Sequence, residues 1–197
     1  MATSVSVVGV DTMSFVYLDA LGQLELLRRL AAETHRLAVT KAVVRELQRS
    51  PRLGPLVQSW CDRGELELLS PCAEDQVSLI VSALLGTPRS DLVRRNRVDS
   101  ELIEVVAFRD GAVLSSQAGI QTLAGGRGVP VVDLVTLFAW AQRQGLVSEA
   151  DVDAITRPWT TPAAAATGAP QDFRRSFHET VRRRGSRLTG LVTALVG

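Results

Sequence analysis

Apolar residues follow two rhythms along this chain, and their alternation predicts an α/β fold. A short run rich in β-branched residues falls at 5–10 (VSVVGV), and further strands are expected at 36–39 (RLAV), 65–69 (ELELL), 112–115 and 129–132. Such nearly continuous apolar runs mark strands buried on both faces, as in a parallel sheet. Between them the spacing turns helical. Phe15, Leu18, Leu21, Leu24, Leu27 and Leu30 predict one helix over 14–30. Thr40 reads as the N-cap of a helix over 41–50 closed by Pro51, and a further helix covers 53–63 with Gly64 as its stop. Helices are also expected over 73–85, ended by Gly86-Thr87-Pro88, and over 98–108, 118–124, 134–144 and 148–156, the last two joined at Gly145. Strands alternating with helices imply right-handed crossovers, and so a mainly parallel central sheet in a three-layer α/β/α arrangement.

The pattern changes after residue 157. Residues 158–170 (PWTTPAAAATGAP) form a Pro/Ala/Thr linker, and a basic segment follows at 171–187 (QDFRRSFHETVRRRGSR). The expected organisation is therefore a domain over 1–157 and a C-terminal helical appendage over 158–197. Phe173 and Phe177, spaced i to i+4, would be its docking face. As a charge run, the tail either faces solvent or guides a nucleic acid.

A chain of 197 residues with 46% hydrophobic and 22% charged residues can bury one good core. Its formal net charge of +1 supplies no global field for nucleic acid, so any basic surface must be local. The basic loop 89–97, with Arg89, Arg94, Arg95 and Arg97, is such a place. The start lacks the pattern of a signal peptide, and no apolar window reaches the ~18 residues of a membrane span. Cys61 and Cys72 have no second pair with which to form a zinc site, which fits reduced thiols in the cytoplasm.

Chemistry concentrates in acids at predicted strand ends. Asp11 directly follows the first strand, where α/β folds place ligands; it either caps the next helix or contributes to a site. Glu46 lies on the helix after the second strand. Asp99 opens a helix whose apolar stripe continues through Leu102, Ile103 and Val106, so it falls on the buried side. Glu101 and Glu104 nearby read as surface charges, although either can join the cluster. Three acids meeting at one sheet edge would repel one another unless a hard divalent cation neutralised them. Mg²⁺ or Mn²⁺ suits oxygen ligands and suits phosphodiester hydrolysis.

The segments DTMSFVYLDALGQLELLRRL and RLAVTKAVVREL, followed by VDSELIEVVAFRDGAVLSSQAGIQTLAGGRGVPVVDL, resemble PIN-domain proteins, in particular relatives of bacterial toxin ribonucleases. The resemblance spans roughly residues 5–156. It implies a PIN-like fold, a metal-dependent endoribonuclease of toxin-like or defence type, and Asp11, Glu46 and Asp99 as the catalytic acids. Asp11, Asp99, Glu101 and Gln117 would supply the metal ligands, with Mg²⁺ or Mn²⁺ as cofactor. Counting back from Ala107 places Ser100 at the family's acid position, with Asp99 and Glu101 on either side to substitute for it. The chain departs from the family in VLSSQ, where Gln117, preceded by Ser115 and Ser116, stands in place of an acid. Neutral oxygens there lower metal affinity, so the alternative is a catalytically impaired PIN-like domain that binds RNA or a protein.

Other chemistries fit less well. A phosphatase with a nucleophilic Asp would want an acid where Met13 stands. The GGRG of 125–128 follows a helix and reads as a turn before the next strand, not as a dinucleotide loop. His35 and His178 lack metal-ligand spacing, and no Ser-His-acid order is present. The expected partner is RNA, bound through Arg89, Arg94, Arg95 and Arg97 to its phosphates. An antitoxin or other protein partner, and a homodimer, are compatible with this reading; a membrane is not.

Overall fold

A computed structural model of the chain describes residues 7–34, 37–70, 97–143, 145–148 and 150. Its strands are β1 (Val8–Val10), β2 (Leu37–Thr40), β3 (Glu67–Leu69), β4 (Ala112–Leu114) and β5 (Val131–Val132). Its helices are α1 (Thr12–Ala20), α2 (Leu24–Thr34), α3 (Lys41–Leu47), α4 (Leu53–Asp62), α5 (Arg97–Ala107), α6 (Ala118–Arg127) and α7 (Leu134–Arg143). The strands form one sheet in the order β3-β2-β1-β4-β5, and every pairing is parallel. Val8 pairs with Leu37 on one side and Ala112 on the other.

Every residue of β1, β2 and β4 is buried. Side chains alternate across a strand, so both faces of the sheet must be covered, as a three-layer α/β/α arrangement requires. From β1 the chain moves outward to β2 and β3, then returns to β4 and β5 on the other side. Right-handed crossovers, the rule for parallel strands, put α1–α4 and α5–α6 on opposite faces. The expected α/β architecture with a parallel sheet is present.

Phe15, Leu18, Leu27, Leu47, Leu102, Ile103 and Phe138 are fully enclosed in a continuous core. Each such side chain contributes about 1.5–3 kcal/mol by leaving water. Phe15 of α1 also meets Trp60 of α4 at 6.4 Å between ring centroids, which ties the first helix to the fourth. Gly9 is the place where α5 lies closest to the sheet. A Cβ there would stand 2.6 Å from Val106 Cγ2 and 2.8 Å from Leu102 Cδ1.

Three expectations need correction. The helix expected over 14–30 is two helices, because Gly22 takes φ 69°, a left-handed conformation that ends α1 and lets α2 start at a new angle. The GGRG segment is not a turn: Gly125, Gly126 and Arg127 continue α6, and only Gly128, at φ 72°, leaves the helix. Glu101 and Glu104 are buried, at 6% and 1% exposure, not on the surface. For Glu104 the reason is a partner: Arg127 of α6 donates through Nε and Nη2 to both its carboxylate oxygens. The helices expected over 73–85 and 148–156, the linker and the basic tail lie outside the described residues, apart from residues 148 and 150. Among the described residues no helix is long and apolar enough to cross a membrane.

Candidate active site

The strand order reverses direction at β1, with β2 on one side and β4 on the other. In open parallel sheets the crevice beyond the carboxyl ends at such a reversal is where ligands sit. Asp11 leaves β1 at this point, and Ser115 leaves β4 beside it. The ladder continues one step further, because Asp11 N donates to Leu114 O at 3.3 Å.

Asp11 is buried and does two jobs at once. Its Oδ1 accepts from Ser14 N at 2.6 Å, which caps α1. Its Oδ2 accepts from Ser115 Oγ at 2.7 Å and from Gln117 Nε2 at 3.1 Å. Ser115 Oγ in turn accepts from Gln117 N at 3.1 Å, and Ser14 Oγ donates to Leu114 O at 3.0 Å. Burial pushes the Asp11 carboxyl above the usual carboxylate range, while these hydrogen bonds pull it back down.

Glu46 comes to the same edge because Thr40 ends β2 and caps α3, its side chain accepting from Val43 N. One turn further on, Glu46 is half-buried, and its Oε2 accepts from Thr12 Oγ1 at 2.6 Å. The Asp11-Thr12 pair therefore places one carboxylate and orients the other. Asp99, in the first turn of α5, is half-buried as well. Burial, then the charges of Asp11 and Glu46, push its carboxyl up from 3.8 to about 7. The three acids thus share one electrostatic field. Tyr17 reaches the same region, since the Asp11 charge adds to burial in raising its hydroxyl.

Of the other expected ligands, Gln117 is at the site but offers Asp11 its amide N–H. Glu101 is turned elsewhere. Burial raises its carboxyl, and the charges it feels are those of Arg97 and Arg45, which lower it. Its Oε1, like Ser100 Oγ, makes no hydrogen bond among the described residues. Arg97 opens α5 and is exposed; Arg89, Arg94 and Arg95 lie outside the described residues. Among the described residues, no three His, Cys, Asp or Glu side chains are grouped to hold a metal ion as they stand.

The donor chemistry nevertheless fits a hard divalent cation. The set is all oxygen, and burial, then the charges of Asp11 and Glu46, hold Asp99 above its ordinary value. What the acids have instead of a shared centre is separate neutral donors, Thr12 for Glu46 and Ser115 with Gln117 for Asp11. Thr12, Ser14 and Tyr17 were not singled out by sequence reasoning. For Ser14 the usable signal was Asp11 itself, an N-cap residue whose side chain accepts from the backbone three residues on. Comparison with family models, with curated proteins and with solved structures finds no match to this chain.

Proposed function

We propose that the chain is a metal-dependent endoribonuclease that hydrolyses RNA phosphodiester bonds, of the PIN-like kind its motifs resemble. The observation that carries this reading is the placing of Asp11 and, through Thr12, Glu46 at the carboxyl edge of the sheet where the strand order reverses, with Asp99 near enough to feel both charges. Asp11 and Asp99 would hold the cation, with Glu46 beside them and Gln117 standing where the resemblance expects a fourth acid. A bound Mg²⁺ or Mn²⁺ supplies an activated water and charge stabilisation on the phosphate.

The chain's own residues do the positioning. Ser14 N and Ser115 Oγ fix the Asp11 carboxylate, and Thr12 fixes that of Glu46. Burial and the charges of Asp11 and Glu46 push the Asp99 carboxyl up to about 7, and a cation held there would return it to the carboxylate form. RNA as substrate rests on the resemblance.

A second reading, a catalytically impaired domain that binds RNA or a protein, is favoured by one observation. Asp11 Oδ2 is already satisfied by Ser115 and Gln117. One experiment separates the two. Single-stranded RNA should be cut with Mn²⁺ or Mg²⁺ and left intact in EDTA, and Asp11→Asn should abolish cutting. Cutting by Gln117→Asp alone would identify the natural protein as the binding module. Silence from both would end the nuclease reading.

A further inference from the structure

Resting on the divalent-cation reading of the site, we propose that Gln117 gates it: its side-chain amide occupies Asp11 Oδ2 and must swing away before a divalent cation can take that oxygen. Three donors hold Asp11, and they differ in how readily they can leave. Ser14 N belongs to the first turn of α1 and cannot withdraw without unwinding the helix start. Ser115 is fully buried, and its Oγ accepts from Gln117 N, which leaves its hydroxyl proton aimed at Asp11. Gln117 is only half-buried, its contact is the longest of the three at 3.1 Å, and three rotatable side-chain bonds separate its amide from the backbone.

Gln117 is also the N-cap residue of α6, yet its side chain makes no capping hydrogen bond. The amide is committed to Asp11 instead. In that pose the positive end of the amide dipole points at the oxygen a cation would need. It therefore opposes a cation twice, by occupying a lone pair and by its own charge distribution. Thr12 does the same for Glu46, through a shorter contact of 2.6 Å. These tethers hold Asp11 and Glu46 on separate neutral donors instead of around one centre.

The gate has a consequence of opposite sign to an ordinary ligand role. Deleting a ligand weakens cation binding; deleting a gate strengthens it. The test is calorimetric titration of the metal-free full chain with Mn²⁺, for the wild type and for Gln117→Ala, Gln117→Met, Gln117→Asp and Asp11→Asn, each checked by thermal melting for folding. Gln117→Ala and Gln117→Met should bind Mn²⁺ about three- to tenfold more tightly than the wild type, the scale of one hydrogen bond to a partly exposed charged group. Gln117→Asp should bind more tightly still, and Asp11→Asn should not bind. The Met variant keeps the side chain's length, so agreement between Met and Ala excludes a mere cavity effect. Unchanged or weaker binding by Ala and Met, with Gln117→Asp still binding, overturns the gate and leaves the cation site standing. Absence of binding in every variant, Gln117→Asp included, overturns both.

Discussion

Replacing Asp99 with Asn should make the metal-free chain more stable at pH 8. The cause is the cost of ionising Asp99 where it is partly removed from water and lies beside Asp11 and Glu46, which raises its carboxyl from 3.8 to about 7. An acid raised in the folded state binds its proton more tightly there than in the unfolded chain. Stability is therefore greatest below the unfolded value, falls as pH rises from about 4 to about 7, and stays low above that. The full shift corresponds to about 4 kcal/mol. Asp99 is half-buried, so solvent screening reduces this to about 2 kcal/mol. Losing a negative charge from the first turn of α5 costs about 0.5 kcal/mol in the opposite direction. Repulsion wins, and Asp99→Asn should gain about 1.5 kcal/mol at pH 8. Urea unfolding in EDTA measures it: the midpoint should rise with an unchanged slope, and the gain should fall by more than half at pH 4. A midpoint that does not rise at pH 8, or a gain of equal size at pH 4, would refute the raised Asp99 carboxyl.

Two further outcomes test the scaffold. Arg127→Ala should destabilise the fold by about 2–4 kcal/mol, because it leaves Glu104 buried at 1% exposure without its cation; adding Glu104→Met should recover most of the loss in urea unfolding. Gly9→Ala should cost about 1–3 kcal/mol and lower the melting temperature, since the new methyl meets Val106 and Leu102 at under 3 Å; a neutral result would contradict the close approach of α5.

Alternation of strand and helix was legible because the strands needed for a sheet covered on both faces are continuous apolar runs, and periodicity reports this directly. Segment breaks were not. The leucines from Leu18 to Leu30 keep a spacing of three across Gly22, so the apolar rhythm hides a break that depends on one backbone conformation. Buried acids were misread for a related reason. The identity of Glu104 announces the cost of burying it, while the partner that offsets the cost, Arg127, lies 23 residues away within what looked like a glycine turn. At the candidate site, Asp11 and Asp99 stood out by their places at a strand end and a helix start, and Glu46 only through the resemblance. Gln117 could be read as a departure. The donor Thr12 could not, because hydroxyl residues near a strand end are common and only geometry distinguishes a tether from a bystander.

The pairing of β1 with β4 joins Val8 to Ala112 across most of the described chain, and the Asp11–Ser115 hydrogen bond spans 104 residues. Pairing so distant in sequence closes a long loop and belongs to the slow part of folding. While the chain emerges from a ribosome, residues 7–70 can lay β1, β2 and β3 side by side before β4 exists. Asp11 then waits, already capping α1, with neither Ser115 nor Gln117 to hold its second oxygen. Completion of the carboxylate cluster is consequently a late event, tied to the arrival of β4. A half-made chain carries the acids without the arrangement that gives them their chemistry, and the proposed nuclease cannot act before its own synthesis has passed residue 117.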